Sequence, residues 1–131
     1  MWGQSTGAEN HTAIYQQTGA VEEGTEMYIG AWAMTAMDNK ITGGNTFFVA
    51  VNYFDAGWAW LGQDQSEPMD TSYAVDTWHY VDVHSTAPAN VAHVQLQLTF
   101  YQPAGDASGS VYVDKTRATI CLLYTSDAAD E

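Results

Sequence analysis

The sequence predicts an all-β fold, and three observations lead to that prediction. Apolar residues recur at every second position in several segments, which is the period of a half-buried strand. These segments are rich in the β-branched and aromatic residues that favour strands. No long window repeats its apolar positions at helical spacing, so almost no helix is expected. The 131 residues suit one domain, and several short strands in such a chain predict an antiparallel sandwich or barrel.

The strand candidates follow one another along the chain and are separated by turn-forming residues. They are residues 11–18, 26–34, 46–54, 78–84, 93–101 and 110–114, of which the first is the weakest. Gly43-Gly44, Pro88 and the polar stretches 63–77 and 103–109 supply turns between them. Trp78 is predicted to lie in the core, because it opens a strand whose Val81 and Val83 look buried.

Charge and hydropathy exclude several classes of partner. Lys and Arg number 3 against 16 Asp and Glu, which leaves no basic surface for nucleic acid or for an anionic membrane. No apolar run is long enough to span a bilayer. We therefore expect no nucleic-acid partner and no membrane.

Residues 121–131, CLLYTSDAADE, resemble a translated sequencing-library adapter. We therefore expect a non-native tail after a domain that spans residues 1–120; the alternative is an ordinary C-terminal strand followed by an acidic tail. Without this segment, 13 acidic and 3 basic residues remain, a net charge of −10, and the single cysteine, Cys121, is lost. Disulfides, thiolate metal sites and a cysteine nucleophile are then excluded.

Outward-facing amides and rings are the candidate binding residues. Alternation places two sets of side chains on opposite faces of the strand 93–101. The core side carries Val94, Leu96, Leu98 and Phe100, and the other side carries His93, Gln95, Gln97, Thr99 and Tyr101. Amides offer a donor and an acceptor side by side, whereas Tyr and Trp offer flat apolar area; sugars present hydroxyls and C–H faces that match both. The predicted outward set, which carries no fixed charge, is Tyr28, Trp32, Asn52, Phe54, Gln95, Gln97 and Tyr101. The alternative is a solvated sheet face covered by loops.

A hairpin carries two further candidates. Trp58 and Trp60 follow a turn at Gly57, and their spacing points them the same way if a strand resumes there. Two such indoles form a stacking platform, and the alternative is a small core beneath the 63–77 loop.

The sequence offers little to support catalysis. Glu22, Glu23 and Glu26 lie at a turn without the spacing that aims two acids across one bond. His79 points away from Asp82 and His84 on a regular strand, so these three residues do not predict a metal site. Phosphate-binding glycine loops are absent from the sequence. No enzyme is expected.

Several segments, taken in order, resemble the β-sandwich carbohydrate-binding modules of the family 4, 9, 16 and 22 group. The likeness covers residues 12–117 and rests on Trp78 followed by Thr86-Ala87-Pro88, on the Phe54-Asp55-Ala56-Gly57 turn and on the closing Val111-Tyr112-Val113-Asp114 strand. It implies a two-sheet jelly roll that binds glycan on a concave sheet. It also implies a secreted, extracellular module without catalytic activity, attached covalently to a polysaccharide-degrading catalytic domain.

The resemblance further implies a structural calcium ion in the intact parent domain, with no cofactor required for binding. Asp114 is the one matching ligand here, and Lys115 stands where such modules usually have a second carboxylate. An N-terminal strand that supplies calcium ligands in these modules is also expected to be missing, so the domain is expected to be truncated at both ends. Because calcium takes six to eight oxygens, we expect an incomplete site.

The expected function is binding of a neutral polysaccharide or oligosaccharide of the glucan or xylan class. Two alternatives stay open. A structural or adhesive sandwich domain of a surface protein would have Trp58 and Trp60 buried, whereas a hydrolase fragment would have two carboxylates facing one cleft.

Overall fold

The structure, a computed structural model, describes residues 2–4, 10–17, 21–103 and 108–121 and is built almost entirely of strands. The all-β prediction is confirmed. The strands are β1 (Trp2–Gln4), β2 (Asn10–Gln17), β3 (Glu26–Met34), β4 (Thr46–Phe54), β5 (Trp60–Gln65), β6 (His79–Thr86), β7 (His93–Gln102) and β8 (Ser110–Cys121). A three-residue 3₁₀ helix, Met37–Asn39, connects β3 to β4. Within the described ranges, no helix has the length and apolar character needed to cross a bilayer.

Two four-stranded antiparallel sheets pack face to face as a sandwich, as the resemblance implied. The first sheet has the strand order β1-β8-β3-β6, and the second has the order β2-β7-β4-β5. In each sheet, strands distant in sequence lie side by side: β3 pairs with β6 and β8, and β7 pairs with β2 and β4. This ordering places residues from both ends of the chain beside its middle strands.

The predicted strands agree with the structure best where alternation is strongest. β3 and β4 have the predicted bounds, and β7 differs by one residue at its end. β8 runs on to Cys121, so only residues 122–131 of the expected tail lie outside the described residues. A strand after the Gly57 turn entered only as a condition for the Trp58 and Trp60 platform, and the Gln63-Asp64-Gln65 run of β5, which is polar on both sides of the strand, was assigned to a loop.

The core lies between the two sheets and is filled by one side of each central strand. Phe47 pairs with Phe100 across β4 and β7, and both are almost fully buried. The predicted inward side of β7 is confirmed, because Val94, Leu96 and Phe100 are buried and Leu98 packs against the core. The core also includes Met27, Ile29, Ala31, Ala33, Val49, Val51 and Tyr53 of β3 and β4. The inward side chains of β3 belong to the first sheet and those of β4 and β7 to the second, and contact between them holds the two sheets together.

The predicted core position of Trp78 is wrong. Trp78 is 42 % exposed and precedes the first residue of β6. It stands three positions before the buried Val81, and an odd separation on a strand places two side chains on opposite faces. The inward phase of β6 instead falls on Val81, Val83 and Ser85.

A polar chain joins the two sheets along one edge of the sandwich. The Tyr53 hydroxyl lies 2.5 Å from Ser85 Oγ, which in turn donates to Asp64 Oδ2 at 2.5 Å. Tyr53 belongs to β4, Ser85 to β6 and Asp64 to β5, so the chain crosses from one sheet to the other. Burial raises the pKa of the Tyr53 phenol. The edge therefore holds hydrogen-bonded groups where apolar packing ends.

The loop after β3 is held against the start of β8 by a close backbone approach. Gly109 has φ of +111°, and a Cβ at this position would lie 2.3 Å from the Lys40 carbonyl oxygen. Thr35 Oγ1 also donates to the Ser110 carbonyl oxygen at 3.1 Å and accepts the Ile41 amide at 2.9 Å. Only glycine fits position 109, because both the positive φ and the lack of space exclude a side chain.

Candidate functional site

The predicted binding residues lie on two different surfaces of the molecule. Asn52, Phe54, Trp58, Trp60, Gln95, Gln97 and Tyr101 belong to the second sheet or to the β4–β5 turn at its end. Tyr28 and Trp32 lie on β3 of the first sheet and point away from the core, so the sandwich separates them from the other seven. The structure thus brings most of the predicted set together but divides it into two groups.

The outward side of the second sheet is here named the amide surface. Cross-strand pairs point to the same face of a sheet, so the registers define its members. One row contains Gln17, Gln95, Asn52 and Gln63, and the next contains Tyr15, Gln97, Ala50 and Gln65. Each row contributes one residue from each of the four strands. Amide side chains therefore extend across the full width of the sheet.

A directional relay of hydrogen bonds connects these amides. Gln63 Nε2 donates to Asn52 Oδ1 at 2.6 Å, and Asn52 Nδ2 donates to Gln97 Oε1 at 2.5 Å. Gln97 Nε2 then donates to the Thr99 hydroxyl. Because each amide bonds to the next, the relay restrains these side chains relative to one another. The exposed Gln63 is consequently held in one orientation.

Burial divides the amides into supporting and accessible groups. Asn52 and Gln97 are only 6 % and 8 % exposed, and both use an oxygen and a nitrogen within the relay. Gln63 is exposed and Gln95 is half-buried. The geometry therefore makes Asn52 and Gln97 positioning residues, whereas Gln63 and Gln95 are accessible to a ligand.

Aromatic side chains gather at one end of the amide surface. The Trp58 indole stacks on the His93 imidazole with ring centroids 3.8 Å apart and planes 3° from parallel. The Phe54 ring lies 5.5 Å from Trp58 in a tilted arrangement. Trp60 stands opposite Phe54 across β5 and β4 and is 65 % exposed. The alternative in which both indoles are buried beneath the 63–77 loop is wrong, because Trp58 is also 45 % exposed.

The turn that carries Trp58 is fixed by one carboxylate. Asp55 Oδ1 accepts the Gly57 amide at 2.9 Å and the Ala59 amide at 2.8 Å. The Asp55 carbonyl oxygen also accepts the Trp58 amide at 2.9 Å. Trp58 takes φ of +66° here, a conformation uncommon outside glycine. The turn thus positions Trp58 against His93 by backbone bonds as well as by stacking.

The amide surface carries no fixed charge at its described outward strand positions. From residue 13 onward on β2, and on β7, β4 and β5, these positions are occupied by amide, hydroxyl, aromatic or small apolar residues and by His93. Asp64 of β5 belongs to the opposite, core-facing side and bonds Ser85. The nearby charged residue Asp55 is engaged within its own turn.

The outward side of the first sheet forms a second array, here named the tyrosine surface. Gly30 is its centre. Across the three strands, its rows are Thr119, Tyr28 and His84, then Arg117, Gly30 and Asp82, then Asp114, Trp32 and Tyr80. This surface differs from the amide surface because it contains ionisable groups of both signs.

The missing side chain of Gly30 shapes the tyrosine surface. A Cβ at this position would lie 2.4 Å from the Tyr80 hydroxyl and 2.7 Å from the Tyr28 hydroxyl, so both phenols reach over the glycine. The two hydroxyls are hydrogen-bonded to each other. Burial, this bond and the Asp82 charge all raise the pKa of Tyr28 above its usual range. Trp32 packs on Tyr80 with ring centroids 5.0 Å apart, which extends the ring array along the sheet.

Asp114, the predicted calcium ligand, lies on the outward side of β8. Asp114 is exposed, and its Oδ1 accepts the Lys115 amide at 2.8 Å. Within the described ranges, no three His, Cys, Asp or Glu side chains form a metal-binding group. One carboxylate falls well short of the oxygen set that calcium takes. The expectation about calcium in a longer parent domain stays a prediction.

Several residues of the amide surface were not singled out from the sequence. Tyr15 is 56 % exposed and pairs with Gln97, but its strand has weak alternation. Gln63 and Gln65 lie in a segment that the sequence assigned to a loop. His93 was placed on the correct face but was not expected to stack on Trp58.

Comparisons with known proteins support the fold but do not establish a function. No protein-family model matches the sequence, and no curated protein matches it significantly. Among solved structures, "Family 16 Carbohydrate Binding Module-2" matches at TM-score 0.55 and 20% identity, over 86% of this chain and 72% of that one. The Clostridium thermocellum xylanase 10B, solved as CBM22-1-GH10 modules with xylohexaose, matches at TM-score 0.57 and 16% identity, over 98% of this chain and 27% of that one.

A domain of different description shares the architecture as well. The enzymatically active domain of bacteriophage CBA120 tailspike protein 4 matches at TM-score 0.55 and 12% identity, over 84% of this chain and 14% of that one. The chain thus spans only a small part of the tailspike and xylanase chains. At these identities the likeness establishes the fold alone, and the chain has the β-sandwich fold found in the family 16 and family 22 carbohydrate-binding modules.

Proposed function

We propose that the protein binds a neutral polysaccharide of the glucan or xylan class on its amide surface, as a non-catalytic module. The observation that carries the proposal is an outward sheet face on which an oriented amide relay adjoins exposed indoles without any fixed charge. A sheet face meant only for water has no need of large rings, and an exposed ring patch marks a contact surface. The structural likeness to carbohydrate-binding modules is consistent with this reading.

The amide surface offers groups that match both the flat C–H face and the hydroxyls of a sugar. The C–H face of a pyranose ring stacks on a flat aromatic side chain, for which Trp60 and Tyr15 are the most exposed candidates. Sugar hydroxyls both donate and accept, and so do the side-chain amides of Gln63 and Gln95. Because the relay already fixes Gln63, binding loses less side-chain entropy. A linear polysaccharide lying across β7, β4 and β5 would contact both the aromatic rings and the side-chain amides.

Charge favours a neutral polymer over an acidic one. The whole chain carries a formal net charge of −13, which repels uronate and sulfated polysaccharides. The described outward positions of the second sheet offer no Lys or Arg to offset that repulsion. A neutral polysaccharide carries no charge for the negative protein to repel.

Binding at one such surface is expected to be weak. About three to five hydrogen bonds at roughly 0.5–1.5 kcal/mol each, together with one or two stacked rings, must offset at least about 4 kcal/mol of association cost. The resulting dissociation constant is on the order of 10⁻³ to 10⁻⁵ M. Weak sites suit a polymer whose repeats supply avidity, especially in a secreted protein whose catalytic domain is attached to the module.

Affinity electrophoresis against a panel of soluble polysaccharides tests the proposal. We expect the protein to be retarded in gels that contain xylan or β-glucan and to migrate normally in gels that contain polygalacturonate or a sulfated galactan. Binding to the acidic polymers alone would contradict the charge argument, and normal migration in every gel would refute the proposal.

A further inference from the structure

We propose that the tyrosine surface is a second site for the same class of neutral glycan, so that one molecule binds two chains on opposite sides of the sandwich. This inference rests on the proposed function of the amide surface. The observation behind it is that Tyr28, Trp32 and Tyr80 form a ring array on the outer side of the first sheet, on the other side of the core from Trp60.

The tyrosine surface is built to hold its rings in place before any ligand arrives. Gly30 leaves room for the two phenols, and the bond between their hydroxyls ties β3 to β6. Trp32 and Tyr80 are 39 % and 38 % exposed although they contact each other. Rings that are fixed and yet open to solvent lose little entropy when a sugar stacks on them.

The polar groups around these rings favour a neutral ligand. Asp82 and Arg117 flank Gly30 from the two neighbouring strands, so the centre of the surface has one carboxylate and one guanidinium. Asp114 of the same surface, with Glu26 and Asp64 at its edge, makes the field around this centre negative, which disfavours an acidic polymer and leaves a neutral one unaffected. Both groups serve sugar hydroxyls well, because a carboxylate accepts hydrogen bonds and a guanidinium donates them.

A depression gives the tyrosine surface a place for a sugar ring at one end. It has a volume of about 1060 Å³, and its lining includes Tyr28, His84 and Arg117 of this surface and the three carboxylates of Glu26, Asp64 and Asp82. The His84 ring lies 4.7 Å from Tyr28 and continues the aromatic lining. The Tyr28 and His84 rings thus offer flat faces to a sugar, with donors and acceptors beside them.

Two glycan sites on opposite faces would give the module an activity that one site cannot have. The aromatic rings of one outer face are separated from those of the other by both sheets and the core. Each molecule would therefore cross-link two polysaccharide chains. Soluble polymer would be gathered into larger particles.

Fluorine NMR of protein labelled with 5-fluorotryptophan separates the two surfaces, because Trp32 reports on one and Trp58 and Trp60 report on the other. Xylohexaose is the first probe and cellohexaose the second. We expect saturable shifts for the Trp32 and Trp60 signals with dissociation constants on the order of 10⁻³ to 10⁻⁵ M. Trp60→Ala should leave the midpoint of the Trp32 titration within about twofold, and Trp32→Ala should leave that of Trp60 equally unchanged.

The outcomes distinguish failure of this inference from failure of the proposed function. If Trp60 responds and Trp32 does not, the second site is refuted and the amide surface stands. If only Trp32 responds, the amide surface is refuted together with two-site binding, and if neither responds both proposals fall. Trp32→Leu keeps an apolar side chain and serves if Trp32→Ala does not fold. In parallel, light scattering with long-chain xylan should rise for the unmodified protein and stay low for either single-surface variant.

Discussion

Trp60→Ala is expected to weaken binding of xylan or glucan oligosaccharides roughly ten- to thirtyfold at the amide surface. Trp60 is 65 % exposed, and covering one face of its indole removes roughly 50–80 Å² of apolar area from water, or about 1.4–2 kcal/mol. The free energy of unfolding should change little, because an exposed ring contributes little to the core. Titration of the Trp58 fluorine signal measures the loss directly.

Met37→Ala is the matched control for Trp60→Ala. Met37 is 59 % exposed, a fraction close to that of Trp60, and it lies on the 3₁₀ helix outside both sheets. Its removal should leave oligosaccharide binding unchanged. Equal losses in the two variants, or no loss in Trp60→Ala, would show that the indole does not contact the ligand.

Phe47→Ala is expected to lower the free energy of unfolding by about 3–5 kcal/mol. Phe47 is completely buried and faces Phe100 in the middle of the core, so truncation leaves a cavity between the sheets. For a domain of this size the loss corresponds to about 10–20 °C in melting temperature, measured by circular dichroism during heating.

Phe48→Ala is the matched control for Phe47→Ala, because Phe48 is its neighbour on β4, points to the opposite face and is only partly buried. It should cost clearly less stability than Phe47→Ala. Should the two variants lose the same stability, the inward and outward assignment of β4 would be wrong.

The sequence predicts the strands well wherever alternation and turn signals coincide. β3 and β4 have their predicted bounds because each alternates over its whole length between turn-rich segments. Most of β5 escaped prediction because Gln63, Asp64 and Gln65 are polar on both sides of the strand, since Asp64 bonds to Ser85 at the sandwich edge rather than packing into the core. Alternation of apolar and polar residues indicates a half-buried strand, and the polar segment of β5 has no such alternation.

The sequence predicts the central residues of the candidate site, but it does not predict the residues that flank them on neighbouring strands. The outward phase of Gln95, Gln97 and Asn52 follows from local alternation. Which strands flank them does not, because the pairing of β7 with β2 and of β4 with β5 is a property of the whole topology. For this reason Tyr15 and Gln63 were missed.

Strand order also explains the separation of Tyr28 and Trp32 from the other predicted residues. Alternation shows that both point away from the core, and it does so correctly. It does not show to which of two sheets their strand belongs. One predicted set of outward rings and amides therefore became two surfaces.

The location of a bound hexasaccharide tests most directly whether the uncharged amide surface binds glycan. Intermolecular nuclear Overhauser effects between sugar C–H protons and protein side chains give that location. We predict contacts to the Trp60 indole and to the side-chain amides of Gln63 and Gln95, and none to the buried amides of Asn52 and Gln97. The absence of any contact to Trp60, Gln63 or Gln95 with both xylohexaose and cellohexaose at saturating concentration would contradict this assignment.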